Sequence, residues 1–253
     1  MKNLLALLVF VTSPLALATY DLTVTDHFEE VVSTIDAVTN EHAPEDVLVV
    51  FDIDHTLILV DDCLPKAKKS ERNKKGKNKE SFARFMKQVW ECTSYLTNPA
   101  LPELIEGLQD ADYPVMALTA RGGNLVDPTI EQLKNRLRYS KEKGSGKAVI
   151  EFIEDNAPAY STEEKEYNVY EVDGRKGKYF KKVTYKEGVA LVGGADKGKA
   201  LKGFLKEIGR SYKQIIFVDD SQRNITNLEN AYADTEEHMT IIHYTEFDRK
   251  KKK

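Results

Sequence analysis

Apolar residues fall along the chain in two rhythms. Short unbroken runs stand at Val47-Leu48-Val49-Val50-Phe51, Pro114-Val115-Met116-Ala117-Leu118, Val189-Ala190-Leu191-Val192 and Ile215-Ile216-Phe217-Val218. Such runs read as strands buried on both faces, the habit of a parallel sheet. Between them apolar residues recur at helical spacing: Phe28, Val31, Val32, Ile35 and Val38; then Phe82, Phe85, Met86, Val89 and Trp90; then Leu101, Leu104, Ile105 and Leu108. Asp26 and Ser81 are candidate caps for the first two helices. Pro102 sits at an early position that a helix tolerates. Pro128 to Leu137 reads as a further helix, another opens at Lys197, and Asn224, Ile225 and Leu228 mark one more. Met239 to Tyr244 forms a last strand. Strands alternating with helices predict an α/β fold, a parallel sheet sandwiched by helices with right-handed crossovers.

Two stretches break this rhythm. Residues 58–98 contain a basic segment from Lys66 to Lys79, with eight Lys or Arg residues against Glu71 alone. It reads as a solvated loop or as a positive rim that steers anions. Residues 140–190 carry Tyr160, Tyr167, Tyr170, Tyr179, Phe180 and Tyr185 in a charged background. Asp173-Gly174 and Lys176-Gly177 supply turn chemistry there, so β-hairpins or an irregular insert are expected.

Composition narrows the classes. The formal net charge is -4, so no global basic signature calls for nucleic acid as a partner. Lys2, the apolar Leu4 to Val11 and the small-residue site Ala16-Leu17-Ala18 read as a signal peptide over residues 1–18. This stretch is too short to span a bilayer comfortably, so export without a stable membrane anchor is expected, to the periplasm, the exterior or a eukaryotic lumen. In an exported chain the only two cysteines, Cys63 and Cys92, are free to pair; their distance in space is not readable from sequence.

The chemistry gathers where the buried runs end. Val47–Phe51 leads into Asp52-Ile53-Asp54, Val115–Leu118 into Thr119-Ala120-Arg121, and Ile215–Val218 into Asp219-Asp220. Charges are excluded from such strands, so these residues belong at the carboxyl ends, where open α/β sheets bind ligands. Asp52 and Asp54 alternate and so face one side, which demands a cation or a shared proton unless they cap a helix. Lys197 opens a helix against its dipole, which hints at an anion held there. Several carboxylates without a Cys or His cluster suit a hard cation, most simply Mg²⁺. A hydroxyl and a lysine beside such a cation suit a phosphoryl group.

At these residues the sequence resembles the haloacid dehalogenase (HAD) superfamily. Phe-Asp-Ile-Asp-His-Thr-Leu at 51–57 is similar to its first signature, Leu118-Thr119-Ala120-Arg121 to its second, Lys197 to its third and Phe217-Val218-Asp219-Asp220 to its fourth, in the same order. The resemblance implies a Rossmann-like, HAD-like domain over 19–253, with residues 58–98 and 140–190 as candidate cap inserts. It implies Asp52 as nucleophile and Asp54 as general acid/base. Thr119, Ala120 and Lys197 would hold the phosphoryl group, and Asp52, Asp54 (through its carbonyl), Asp219 and Asp220 would hold Mg²⁺. His55 has no assigned part. Asp at position 54 is the choice of the superfamily's phosphatases and mutases. The chain looks close to exported bacterial HAD-like proteins of unassigned function and, more distantly, to secreted acid phosphatases.

The expected function is therefore Mg²⁺-dependent hydrolysis of a phosphorylated substrate. Two alternatives are a non-catalytic binding protein on the same fold, since fold does not fix function, and a phosphotransferase that excludes water from the phosphoenzyme. Trapping with a phosphate mimic separates the first, and phosphate transfer to an added alcohol the second.

Overall fold

The run Val47–Phe51 (β2) is buried throughout, and its alternation divides the interior. Val47, Val49 and Phe51 join one core with Val31, Ile35, Ile105 and Ile130; Leu48 and Val50 join a second with Phe204, Ile225 and Leu228. Successive side chains of a strand point to opposite faces, so one strand lines both cores. Each such buried Val, Leu or Phe side chain contributes roughly 1.5–3 kcal/mol.

The computed structural model describes residues 20–65, 77–173 and 177–246. Along these the order is β1 (Tyr20–Thr25), α1 (Phe28–Glu41), β2, β3 (Ile58–Val60), α2 (Lys77–Glu91), β4 (Ser94–Leu96), α3 (Leu101–Asp110), β5 (Val115–Thr119) and α4 (Val126–Lys134). Then follow β6 (Leu137–Arg138), β7 (Lys147–Ala148), β8 (Lys165–Asp173), β9 (Gly177–Lys186), β10 (Val189–Leu191), α5 (Lys197–Glu207), β11 (Gln214–Asp219), α6 (Gln222–Tyr232) and β12 (His238–Tyr244). The expected leader at 1–18, the basic segment up to Gly76 and the tail Lys250–Lys253 lie outside the described residues. Among the described residues no helix is long and apolar enough to cross a membrane.

The main sheet runs β1-β12-β11-β2-β5-β10-β9-β8. From β1 to β10 every neighbouring pair is parallel; β9 and β8 are antiparallel. The fold is α/β with a mixed, mostly parallel central sheet, rather than wholly parallel. The difference comes from the second insert, whose β8–β9 hairpin continues the sheet beyond β10 and packs Val169, Val183 and Tyr185 against the core around Phe204. The first insert contributes α2 and two strands of a smaller sheet, β3-β4-β6-β7.

Three boundaries depart from expectation. The N-cap of α1 is His27, not Asp26; Asp26 instead pairs with the His27 ring at 3.3 Å. Helix α2 begins at Lys77, so Ser81 lies inside it. Helix α4 stops at Lys134, and Leu137 belongs to β6, where its side chain is buried.

Cys63 and Cys92 form a disulfide, with Cα atoms 5.6 Å apart. It joins the chain just after β3 to the residue just after α2.

Candidate functional site

Strands β11, β2 and β5 are neighbours, so Asp219, Asp52 and Thr119 emerge side by side at their carboxyl ends. The Asp52 N–H donates to the Val218 carbonyl at 2.9 Å, which ties the end of β2 to β11. Lys197, the first residue of α5, comes from the far side of β10. The loop before it clasps the end of β5: the N–H groups of Val192, Gly193 and Gly194 donate to the carbonyls of Thr119, Arg121 and Ala120 at 2.8–2.9 Å.

The Lys197 ammonium donates to Asp52 Oδ1 and, at 2.7 Å, to Asp219 Oδ2. All three groups are buried. Burial opposes the charge on Lys197, but the two carboxylates outweigh it and hold its pKa above the ordinary lysine value. The lysine at this helix start therefore faces two carboxylates from strand ends, while the helix itself is capped by Asp196. Burial, joined by the charges of Asp219 and Asp54, raises the Asp52 pKa well above the ordinary range against the pull of Lys197. One ammonium serves two buried carboxylates, and this centre holds more negative charge than it neutralises.

Asp54 is turned to another partner. Its two carboxylate oxygens accept from Arg121 Nε at 2.8 Å and a terminal Arg121 nitrogen at 2.7 Å. The other end of the guanidinium donates to Thr129 at 3.0 Å and Gln132 at 2.8 Å, both on α4. Burial pushes the Asp54 carboxyl up, but the Arg121 charge and hydrogen bonds outweigh it and hold the pKa low. The Thr119 hydroxyl is buried and accepts from the Arg121 N–H at 3.2 Å. Ala120 is exposed beside it.

Asp220 completes the cluster. One oxygen each from Asp52, Asp219 and Asp220 lie within 4.8 Å of one another. The Asp54 side chain stands outside this set. Three oxygens of hard carboxylates, with surplus negative charge, fit a hard divalent cation. Asn224 adds to the fit. Its amide donates to both oxygens of Asp219 at 3.0 Å, while its own buried Oδ1 has no hydrogen-bond partner among the described residues.

Asn224, Arg121 and His55 have roles that the motifs alone did not assign. Asn224 lies in the first turn of α6, where the Ser221 N–H also donates to Asp219 at 2.8 Å. His55 takes a left-handed backbone with φ 71° and brings Nδ1 to 3.3 Å from Asp220, so it is more than a spacer. A positive φ is uncommon outside glycine, though histidine is among the residues that tolerate it. His243 on β12 lies 3.0 Å from the Asp220 carbonyl and fixes the same loop from behind.

Fold and site together define an α/β protein with a buried lysine–carboxylate centre at the carboxyl ends of adjacent parallel strands. By sequence the chain belongs to the family described as Protein of unknown function (DUF2608), whose model matches residues 24–253. No curated protein matches it.

Proposed function

We propose that this chain is a HAD-type, Mg²⁺-dependent phosphomonoester hydrolase that works through an aspartyl phosphate on Asp52, outside the cytoplasm. The observation that carries this reading is the convergence of Asp52, Lys197, Asp219 and Asp220 at adjacent strand ends. Mg²⁺ would be held by Asp52, Asp219 and Asp220, with Asp54 contributing its carbonyl; when bound, it offsets charge between the nucleophile and the phosphoryl oxygens.

The residues then divide the work. Lys197 neutralises a phosphoryl oxygen, and Thr119 with the Ala120 backbone supplies donors to it. An Asp52 oxygen attacks phosphorus and the bond to the leaving oxygen breaks. Asp54, ionised at rest because Arg121 holds its pKa low, takes up a proton from solvent before this step and gives it to the leaving oxygen, then takes one from the water that attacks the aspartyl phosphate. Phosphate leaves and Asp52 is restored. Arg121 fixes the Asp54 carboxylate while leaving lone pairs free for the proton. The Cys63–Cys92 disulfide supports an oxidising compartment, in keeping with the leader expected at residues 1–18.

Purified protein with Mg²⁺ is expected to hydrolyse p-nitrophenyl phosphate, and Asp52→Asn to bring the rate to background. Mg²⁺ with beryllium fluoride should raise the wild-type melting temperature by mimicking the phosphoenzyme. Inactivity across a broad panel of phosphate esters, together with no shift from the mimic, would overturn the proposal in favour of a non-catalytic binding protein.

A further inference from the structure

One edge of the main sheet is β1, which pairs with β12 alone among the described residues. The register is one to one from Tyr20 opposite Met239 to Thr25 opposite Tyr244, so no bulge turns the edge away. The strand, Tyr20-Asp21-Leu22-Thr23-Val24-Thr25, contains no lysine and no proline, the residues that commonly blunt a free edge. The opposite edge strand, β8, is different: it opens with Lys165 and Glu166, both exposed.

Two properties of β1 coincide on the same residues. The Thr25 carbonyl accepts from the Thr245 N–H at 2.7 Å, so the backbone groups of Thr25, Thr23 and Asp21 are turned toward β12. Those of Tyr20, Leu22 and Val24 are turned outward, to the free edge. The side chains of these same three residues share one face of the sheet and are 46, 42 and 60% exposed. Leu22 stands beside Ile241, which is buried with Ile225 and Leu228 of α6. The strip therefore continues an apolar face one strand past the part that α6 buries. Asp21 lies on the other face, 3.1 Å from His238.

A second copy of the chain fits this edge in one register. Under a two-fold axis normal to the sheet, β1 meets β1 antiparallel and each face stays on its own side. With the axis through Leu22, Leu22 opposes Leu22 and Tyr20 opposes Val24. Each such pair exchanges two hydrogen bonds through the backbone groups that point outward. An aromatic residue then packs on a β-branched one, a favourable cross-strand pair, and Asp21 opposes Thr23. An axis through Asp21 would instead set two carboxylates against each other, and an axis through Thr23 would set Tyr20 against Asp26. We propose that β1 is the interface of a symmetric dimer in which the sheets of two copies join edge to edge through Tyr20, Leu22 and Val24. The axis reverses the strand direction, so the two Asp52 centres open at opposite edges of the joined sheet.

Sedimentation velocity of the purified protein over a concentration series tests this. A dimer that dissociates on dilution is expected. Leu22→Lys sets two ammonium groups together at the axis and should weaken association by at least about tenfold, with the circular dichroism unchanged because the position is half exposed. Leu22→Cys reads the register without adding charge. Hydrogen-bonded antiparallel residues stand about 5.5 Å apart at Cα, within disulfide reach. Cys63 and Cys92 are already paired, so the introduced thiol is the only free one. Oxidation with copper phenanthroline should then link two copies of Leu22→Cys. It should not link Val24→Cys, whose counterpart lies about 14 Å away along the strands. A wild type that stays monomeric up to about 100 μM, an association that Leu22→Lys leaves intact, or linking of Val24→Cys as readily as Leu22→Cys would each overturn the dimer. None of these readouts uses phosphatase activity.

Discussion

Arg121 is the residue on which the candidate site's geometry turns. Its side chain is 1% exposed, and its hydrogen bonds go to Asp54, Thr129 and Gln132. Asp54, 25% exposed, therefore faces the site in a fixed orientation rather than sampling rotamers. Arg121→Met leaves that carboxylate without its partner and is expected to cost about 3 kcal/mol in a urea unfolding experiment. The loss depends on pH with a definite sign. Folding lowers the Asp54 pKa, because Arg121 outweighs burial. The ion pair's contribution is then full above the ordinary carboxylate value of about 3.9 and fades as pH falls through the lower folded value. The gap between wild type and Arg121→Met should be widest near neutrality and close as the pH drops below about 4. Asp52, Lys197 and Asp219 were legible in the sequence because each is a charge at an anomalous place, a strand end or a helix start. Arg121 was not, since its partner Asp54 lies 67 residues away and only the sheet order brings them together.

At the scale of elements, the central strands were legible because short, β-branched-rich apolar runs between polar residues fit strands buried on both faces, as Val47–Phe51 is. The edge strand β1 was harder to see. It alternates Leu22 and Val24 with Asp21 and Thr23, and four of its six residues are exposed, so its apolar content resembles that of a loop. The close packing of α5 on α6 was equally hidden. Gly198 sits one residue after Lys197, and a Cβ there would lie 2.3 Å from the Asn227 carbonyl oxygen and 2.7 Å from Ala231 Cβ. The obstacle is backbone, which cannot rotate aside as a side chain does. Gly198→Ala should push α5 off α6 and destabilise by about 2 kcal/mol, visible as a lower melting temperature. Because Lys197 and Asn224 ride on those two helices, Mg²⁺-dependent turnover of an aryl phosphate should fall even at temperatures where the variant is fully folded.

Across the whole molecule, the two inserts have different relations to the sheet that carries the site. The second is built into that sheet, while the first is attached through a smaller sheet and a covalent clasp. Both were visible in the sequence as breaks in the strand–helix rhythm, but how each docks depends on long-range pairing that composition does not record. The clasp closes a segment with a sequence separation of 29 residues. Chain entropy predicts about 3.5 kcal/mol for a loop of that size. Two arginines already hold the same segment at its ends. Arg84 donates to Asp62 and to the carbonyls of Leu64 and Pro65, and Arg136 donates to the carbonyls of Val89, Trp90 and Cys92 at the close of α2. The pair Cys63→Ala and Cys92→Ala should therefore lower stability by no more than about 3.5 kcal/mol and leave a cooperative unfolding transition. A reductant should lower the wild-type melting temperature to that of the double variant and leave the variant unchanged. Since β2, β5 and β11 belong to the other sheet, Mg²⁺ with beryllium fluoride should stabilise the double variant as much as it stabilises the wild type. A fall in that response on reduction would mean instead that α2, through the Arg121–Phe85 contact at 5.8 Å, transmits the state of the clasp to Asp54.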